Sequence, residues 1–216
     1  MKVIQLKEQE CKDWLLKKHY LKRMPTIAFA FGLVKNGMVE AVATFSGAIA
    51  RFELSHHPYE LSRLVANEGL EKNDLSWFLS RCIKEFPKST ILVSYADENW
   101  GHHGYIYQAT NWLYTGYSSG EKRIFINGNE VHRRTLYARY GTSSIPALKK
   151  MGLDVNFTPQ TGKHRYFQFT GNKRERAKLK RELTDKYKVL PYPKGENDRY
   201  DSGEEMKHEV FENPFW

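Results

Sequence analysis

The stretch IAFAFGLVKNGMVEAVATFS, Ile27 to Ser46, decides how the fold is read. Two apolar runs flank Asn36-Gly37, a dipeptide that accepts the positive φ angles a two-residue hairpin demands. The pattern predicts strands at Ile27–Lys35 and Met38–Ser46. Upstream, Val3–Leu6 reads as a short strand. Glu10–Leu21 reads as a helix with Cys11, Trp14, Leu15 and Lys18 on one face, ended by Pro25. Downstream, Glu60–Ala66 is the next strand, and the polar Asn67–Asn73 segment with Gly69 is a loop. Asp74–Phe86 has helical spacing in Leu75, Phe78, Leu79, Cys82, Ile83 and Phe86, and Pro87 stops it. TILVSY, Thr90–Tyr95, is a buried strand, and Gly101–Asn111 reads as a second helix. Strands are expected at Leu113–Tyr117, Lys122–Ile126 and Thr135–Tyr140, and a short helix at Ile145–Met151. His164–Thr170 reads as a strand, and Asn172–Leu183 as a basic helix capped by Asn172. This order gives an α/β (α+β) fold, with a mixed central sheet carrying helices on its faces.

The 216 residues suit one domain, expected over 1–194, followed by an acidic tail at 195–216. Apolar residues at 40% and aromatics at 14% exclude a disordered chain, a collagen and a coiled coil. No apolar run approaches the roughly 18–20 residues that span a bilayer, and the charged N-terminus is not a secretory signal. Cys11 and Cys82 form no CxxC, so a reducing compartment fits.

The net charge of +9 is uneven. Gly195–Trp216 carries seven acidic residues against Arg199 and Lys207. Lys163–Lys188 carries ten basic residues against Glu175, Glu182 and Asp185. A basic block beside aromatics points to a phosphate backbone. The candidate contacts are Lys163, His164, Arg165, Tyr166, Lys173, Arg174 and Arg176. His132, Arg133 and Arg134 add to them, read on a strand with His132 and Arg134 on one face.

ELSRLVANEGLEKNDLSWFL, Glu60–Leu79, leads a strand through a loop into a helix start, where free N–H groups suit a phosphate. Asn73 and Ser76 add donors there, and Asp74 reads as the N-cap. Arg63, amid apolar neighbours on a covered strand, needs a cleft or an ion pair, for which Asp97 is the nearest candidate. SYADENWGHHGYIYQATNW, Ser94–Trp112, is densest in polar and aromatic groups. Ser94, Tyr95 and Asp97 end an apolar strand, where α/β ligand sites gather. Adjacent His102 and His103 lack helical metal spacing, so stacking, capping or substrate contact is expected of them; metal binding with His19 and Asp97 stays open. There is no GxSxG, P-loop or GxGxxG.

Residues Glu60–Tyr117 resemble the GNAT superfamily of acyltransferases, in which a strand, a donor-binding loop and a later helix tyrosine recur. IYQATNW, Ile106–Trp112, fits the tyrosine segment, with Asn111 and Trp112 in place of Gly and Phe. EKNDLS, Glu71–Ser76, lacks the glycines that hold CoA pyrophosphate. A closer resemblance is to the Mom family of phage DNA-modification proteins. It rests on His19-Tyr20, LSRL (61–64), Asn73 with Ser76, SYAD (94–97), Gly101-His102, Gly104, IYQATNW, Gly116 and KHRY (163–166). This resemblance implies a GNAT-like fold and conversion of adenine N6 in duplex DNA to N6-carbamoylmethyladenine, shielding DNA from host restriction. It also implies functional roles for Arg63, Ser76, Asp97 and Tyr107, and a host bacterial cytoplasm.

Adenine N6 is a poor nucleophile, so acyl transfer to it needs orientation, oxyanion stabilisation and a proton for the leaving group. Asp97 is then the expected base or amine-orienting group, Tyr107 the acid and Arg63 the third catalytic residue. Asn73, Ser76 and Ser94 would bind the donor. His19, Tyr20 and His102 would join the basic residues against nucleic acid. A glycyl group on N6 is an isomer of the carbamoylmethyl product, so glycyl-tRNA is the expected donor and acyl-CoA (acetyl-CoA) its rival. Double-stranded DNA is the expected partner, with tRNA as a second; a metal and the oligomeric state, including a dimer, are left open. Two other readings compete: an ordinary acyl-CoA N-acyltransferase on a protein or small amine, and a non-enzymatic nucleic-acid-binding protein.

Overall fold

In a computed structural model, the described residues are 1–86, 89–118, 122–159, 162–195 and 202–208. The strands are β1 (Lys2–Gln5), β2 (Phe29–Lys35), β3 (Met38–Gly47), β4 (Tyr59–Ala66), β5 (Ile91–Asp97), β6 (Leu113–Tyr117), β7 (Lys122–Ile126), β8 (Asn129–Glu130), β9 (Val155–Pro159) and β10 (Lys163–Phe169). The helices are α1 (Glu8–Asp13), α2 (Asp74–Lys84), α3 (Tyr105–Ala109), α4 (Arg133–Tyr140), α5 (Ile145–Lys150) and α6 (Lys173–Lys186). Seven strands form one mixed sheet in the order β1-β2-β3-β4-β5-β10-β6, the expected α/β architecture. The β2–β3 hairpin turns at Asn36-Gly37, both at positive φ.

Alternation along each strand sends side chains to two faces. On the front face, Phe31, Leu33, Ala43, Phe45, Leu92 and Tyr166 pack against Phe78, Leu79 and Cys82 of α2 and Tyr107 of α3. The back face is covered in two halves. Cys11, Trp14 and Leu15 lie over Ala30, Val34 and Val42, and Leu179 and Leu183 of α6 lie over Ile91, Val93, Phe167 and Phe169. Each fully buried large side chain contributes about 1.5–3 kcal/mol, so these layers hold the sheet shut.

The expected first helix is shorter than read. After α1 the chain widens into a π-helical turn, Trp14–Lys18, closed by His19 N–H donating to the Trp14 carbonyl at 3.0 Å. The wider turn carries Lys18 inward, where its ammonium meets the Glu68 carboxylate at 2.7 Å and the Glu204 carbonyl at 2.5 Å. Glu204 belongs to a docked C-terminal segment. Asn67 and Met206 exchange two hydrogen bonds, and Val39 N–H donates to the His208 carbonyl. Phe211, Pro214, Phe215 and Trp216, expected to dock, lie outside the described residues, as does Pro87.

The strand expected at Thr135–Tyr140 is instead helix α4. Leu136 is fully buried and Tyr140, four residues on, packs on the same cluster; that helical spacing overrides the β propensity of Thr135 and Tyr137. His132 and Arg133 therefore sit at a helix start, not on alternating strand faces, and the Arg134 side chain lies outside the described part. β9, which sequence reading missed, pairs with β7. These two, β8, α4 and α5 surround a separate small core of Ile124, Ile126, Leu136, Leu148 and Val155. Among the described residues no helix is long and apolar enough to cross a membrane.

Candidate active site

Strands β4 and β5 run parallel but pair only at Tyr59–Leu92 and Glu60–Val93. Beyond that point they part, opening a wedge in the sheet toward the C-terminal end of β5. Ser94 stands in the wedge, fully buried. Its hydroxyl is 3.0 Å from the Leu61 carbonyl of β4 and 2.8 Å from the Tyr107 hydroxyl of α3. With one proton it donates to one of these at a time. Tyr107 packs between Trp112 and Tyr166, with ring centroids 5.2 and 5.1 Å away. Burial pushes its phenol up to about 12, against a smaller opposing pull from Ser94, so it carries its proton at neutral pH. Helix α3 is shorter than the Gly101–Asn111 helix expected. It starts at Gly104, which has φ of 81° and lies so close to the Tyr166 ring that a Cβ would meet it at 2.5 Å. Glu98–Trp100, before it, is a 3-10 turn.

Arg63 enters from the other side. Thr44 pairs with Arg63 and Phe45 with Leu61, so Ser62 is the extra residue of a β-bulge. The bulge breaks alternation and turns Arg63 away from the front-face cluster that Leu61 and Leu64 join. Arg63 is 8% exposed. Nη1 donates to its own neighbour's carbonyl, Ser62, at 2.6 Å, and Nε has no partner among the described residues. The expected ion pair with Asp97 is not formed; Asp97 takes Lys163 instead, at 3.1 Å, because β10 brings Lys163 directly opposite it. Burial, the largest influence on Asp97, pushes its carboxyl up, but Asn99 and Lys163 together outweigh it and hold it below its ordinary value. Asp97 is thus an ionised acceptor: Oδ1 takes two N–H groups of Asn99 and Oδ2 takes Lys163, which leaves Oδ2 one further lone pair.

The π-helical turn delivers His19 and Tyr20 to this end of the sheet. Tyr20 stacks on His19 at 4.3 Å and touches the rings of Trp100 at 5.0 Å and His102 at 5.4 Å. Burial, then Arg63 and His102, push His19 down to about 3, so it is neutral. Burial, followed by the Asp97 carboxylate, pushes the Tyr20 phenol up, with Arg63 opposing. His19, Tyr20, Arg63, Ser94, Asp97, His102 and Tyr107 therefore share one end of the sheet.

Other expected residues lie elsewhere. Asn73, in the left-handed region at φ 75°, is the N-cap of α2, and Ser76 donates to its carbonyl at 2.9 Å. Asp74 is not the cap: its carboxylate accepts from Glu71 N–H at 3.1 Å and from Lys35 at 2.9 Å. Ser94, grouped with these two as a donor contact, sits with Tyr107. His164 and Tyr166, expected against nucleic acid, are 2% and 0% exposed and offer a phosphate backbone no surface. Arg165 is spent on the back face, bonded to Thr115 at 3.0 Å and lying 4.7 Å over the Tyr187 ring. Lys173, Arg174 and Arg176 are exposed on α6, which covers the sheet face opposite Tyr107. Sequence reasoning missed Glu98, Tyr114 and Tyr117, which gather around His164; only the Glu following Asp97 in SYADE hinted at them.

The comparisons with known proteins agree on one group. A family model described as the Mom protein family matches residues 1–194. Methylcarbamoylase mom of Escherichia phage Mu is 28% identical over 155 residues, 69% of this chain and 62% of that protein. The match therefore spans less than two thirds of that relative's length.

Proposed function

The chain belongs to the Mom protein family, and from that premise we propose that it is a phage DNA-modifying enzyme with GNAT-like acyl-transfer chemistry. The product is N6-carbamoylmethyladenine in duplex DNA, and the modification protects that DNA from host restriction in the bacterial cytoplasm. The observation that carries the reading is the wedge between β4 and β5, where buried Ser94 bonds a protonated Tyr107 and the same end of the sheet holds an Arg63 whose Nε has no partner among the described residues. A buried guanidinium with an unused N–H is an incomplete site, and an oxyanion or a donor's phosphate completes it.

The adenine, flipped from the duplex, presents N6 to the carbonyl of a glycyl ester. Attack forms the N6–C bond and places negative charge on oxygen, which Arg63 stabilises. Collapse breaks the ester C–O bond, and the ribose alkoxide of the departing tRNA takes the Tyr107 proton. Ser94, within hydrogen-bond reach of Tyr107, steers that proton. Asp97, ionised and fixed by Lys163 and Asn99, orients the N6 amine and accepts its proton. The free amine of the glycyl group then attacks ring C6. Loss of the amide nitrogen from C6 gives the carbamoylmethyl isomer with no atom gained or lost. The glycine-free Glu71–Ser76 segment supports an aminoacyl donor over acyl-CoA.

The test is to incubate the protein with duplex DNA and glycyl-tRNA carrying labelled glycine, then weigh the digested nucleosides. Label in carbamoylmethyladenine is the expected result. Label arriving only from acetyl-CoA overturns the donor, and no modified nucleoside with either donor overturns the activity.

A further inference from the structure

His164 Nε2 can serve one partner, through one proton or one lone pair, yet it faces two. The Tyr117 hydroxyl is 3.1 Å away and His103 Nδ1 is 3.4 Å away. The Tyr117 hydroxyl also donates to Glu98 at 2.8 Å. Glu98, His103 and His164 each bring a ligand atom within 4.8 Å of the others. Four electron-pair donors thus converge on one point from three separate segments: the 3-10 turn after β5, the loop before α3, and the β10–β6 pair.

We propose that Glu98, His103 and His164, with the Tyr117 hydroxyl or a water in the fourth position, hold a divalent transition-metal ion, zinc being the reference case. Bonds of about 2.0–2.1 Å at tetrahedral angles place two ligand nitrogens roughly 3.3–3.4 Å apart. The two imidazole nitrogens already stand at 3.4 Å. The Glu98 carboxylate, on a partly exposed turn, has only to swing inward. Two imidazoles and a carboxylate are a donor set for a borderline ion rather than for calcium or magnesium. A second contact points the same way: His164 Nδ1 lies 2.9 Å from the Tyr114 hydroxyl. That bond fixes the ring and directs Nε2 at the ion, as the outer partner of a metal-ligating histidine does. Tyr117 is half exposed, so the ion has a way in from solvent.

The site abuts the proposed catalytic end without sharing its residues. Glu98 follows Asp97, and His164 follows the Lys163 that grips Asp97. The ion would pin both neighbours of that pair. Glu98, His103, Tyr114, Tyr117 and His164 are therefore positioning residues for Asp97, and the ion takes no part in the transfer step proposed above.

The test uses the full chain without a histidine tag, stripped with EDTA, dialysed, and reconstituted with Zn²⁺ or Co²⁺. One ion per chain by elemental analysis is expected, with the intense visible absorption of four-coordinate cobalt. His164→Asn alters a buried ring and could fail to fold, so Glu98→Gln and His103→Gln, at partly exposed positions, carry the test. Each should weaken Co²⁺ binding by roughly 100-fold or more while circular dichroism is unchanged. Tyr114→Phe should weaken it by roughly 10–100-fold, the size of an outer-partner effect. Substoichiometric metal after reconstitution, or cobalt bound equally by Glu98→Gln, His103→Gln and the parent, overturns the site. None of these readouts depends on DNA modification, so failure here leaves the proposed activity to its own test.

Discussion

Strand β5 is treated differently along its two edges. Toward β10 it is zipped by seven residue pairs, Ile91–Phe169 through Asp97–Lys163. Toward β4 it keeps two pairs and then parts. On the zipped edge the two strands stay in register along the whole of β5. On the parted edge side chains take over: Ser94 reaches across to Leu61, and Arg63 is left with an unused N–H. A sheet opened at one seam thus leaves unmet polar capacity there, at a stability cost of about 1–3 kcal/mol for a buried donor without a partner.

The sharpest way to break this contrast is at Arg63. Arg63→Lys keeps the charge and removes the planar fork. We expect a rate loss of roughly 10²–10³-fold, in the range of losing one oxyanion donor, with the melting temperature kept or raised because an orphaned Nε is gone. A lower melting temperature with normal turnover would make Arg63 a structural group and the seam a packing defect. Tyr107→Phe deletes one hydroxyl and keeps the ring among Trp112 and Tyr166. A loss of roughly 10²-fold with unchanged folding is expected, as for removal of a general acid. Wild-type turnover would assign the proton to another group.

A milder effect is expected from the face of the sheet away from Tyr107. Changing Lys173, Arg174, Arg176 and Lys178 together to Gln should weaken duplex binding by roughly 10-fold at low salt and flatten its salt dependence, because fewer counterions are released. Turnover at saturating DNA should not change, since α6 covers the back face. A fall in saturated turnover would place the helix in the site.

The smallest effect concerns His19. Its value of about 3 lies below the ordinary 6.5, so the unfolded chain takes the proton first as pH falls. The stability this neutral, buried ring allows is complete above pH 6.5 and is lost progressively toward pH 3. Between pH 6.5 and 4, His19→Gln should lose less in melting temperature than the parent, by about 5 °C. Parallel curves would show that His19 keeps its ordinary affinity for protons in the fold.

What the sequence made legible follows from range. The β2–β3 hairpin was readable because Asn36-Gly37 acts over two residues, and α2 because its apolar spacing repeats within eleven. Seven of the expected site residues, Ser94 among them, meet at one sheet end, since the motifs that hold them close successive strands and turns. The splay of β4 from β5 was not readable, because it depends on two strands about thirty residues apart. Nor was the Ser62 bulge, which alternation from Leu61 would have denied by sending Arg63 to the front face. The sequence marks Arg63 as needing a cleft or an ion pair, and the candidate partner Asp97 is taken by Lys163, a residue brought in by β10. Residues 133–140 were misread because Thr135 and Tyr137 favour strands locally, whereas Leu136 and Tyr140 find their core only in three dimensions.

The small three-stranded sheet has a consequence for how this fold can be edited. Strands β6 and β10 are adjacent, and Ser118 and Lys163 close their ends with two hydrogen bonds, 2.8 Å between backbones and 3.0 Å through the Ser118 hydroxyl. The chain therefore departs from the main sheet and returns to it at one doorway. Whatever stands beyond that doorway is, in topological terms, a graft: its core of Ile124, Leu136, Leu148 and Val155 is its own. A lineage could lengthen, exchange or discard the graft, leaving a plain hairpin turn behind, without re-registering any strand of the seven.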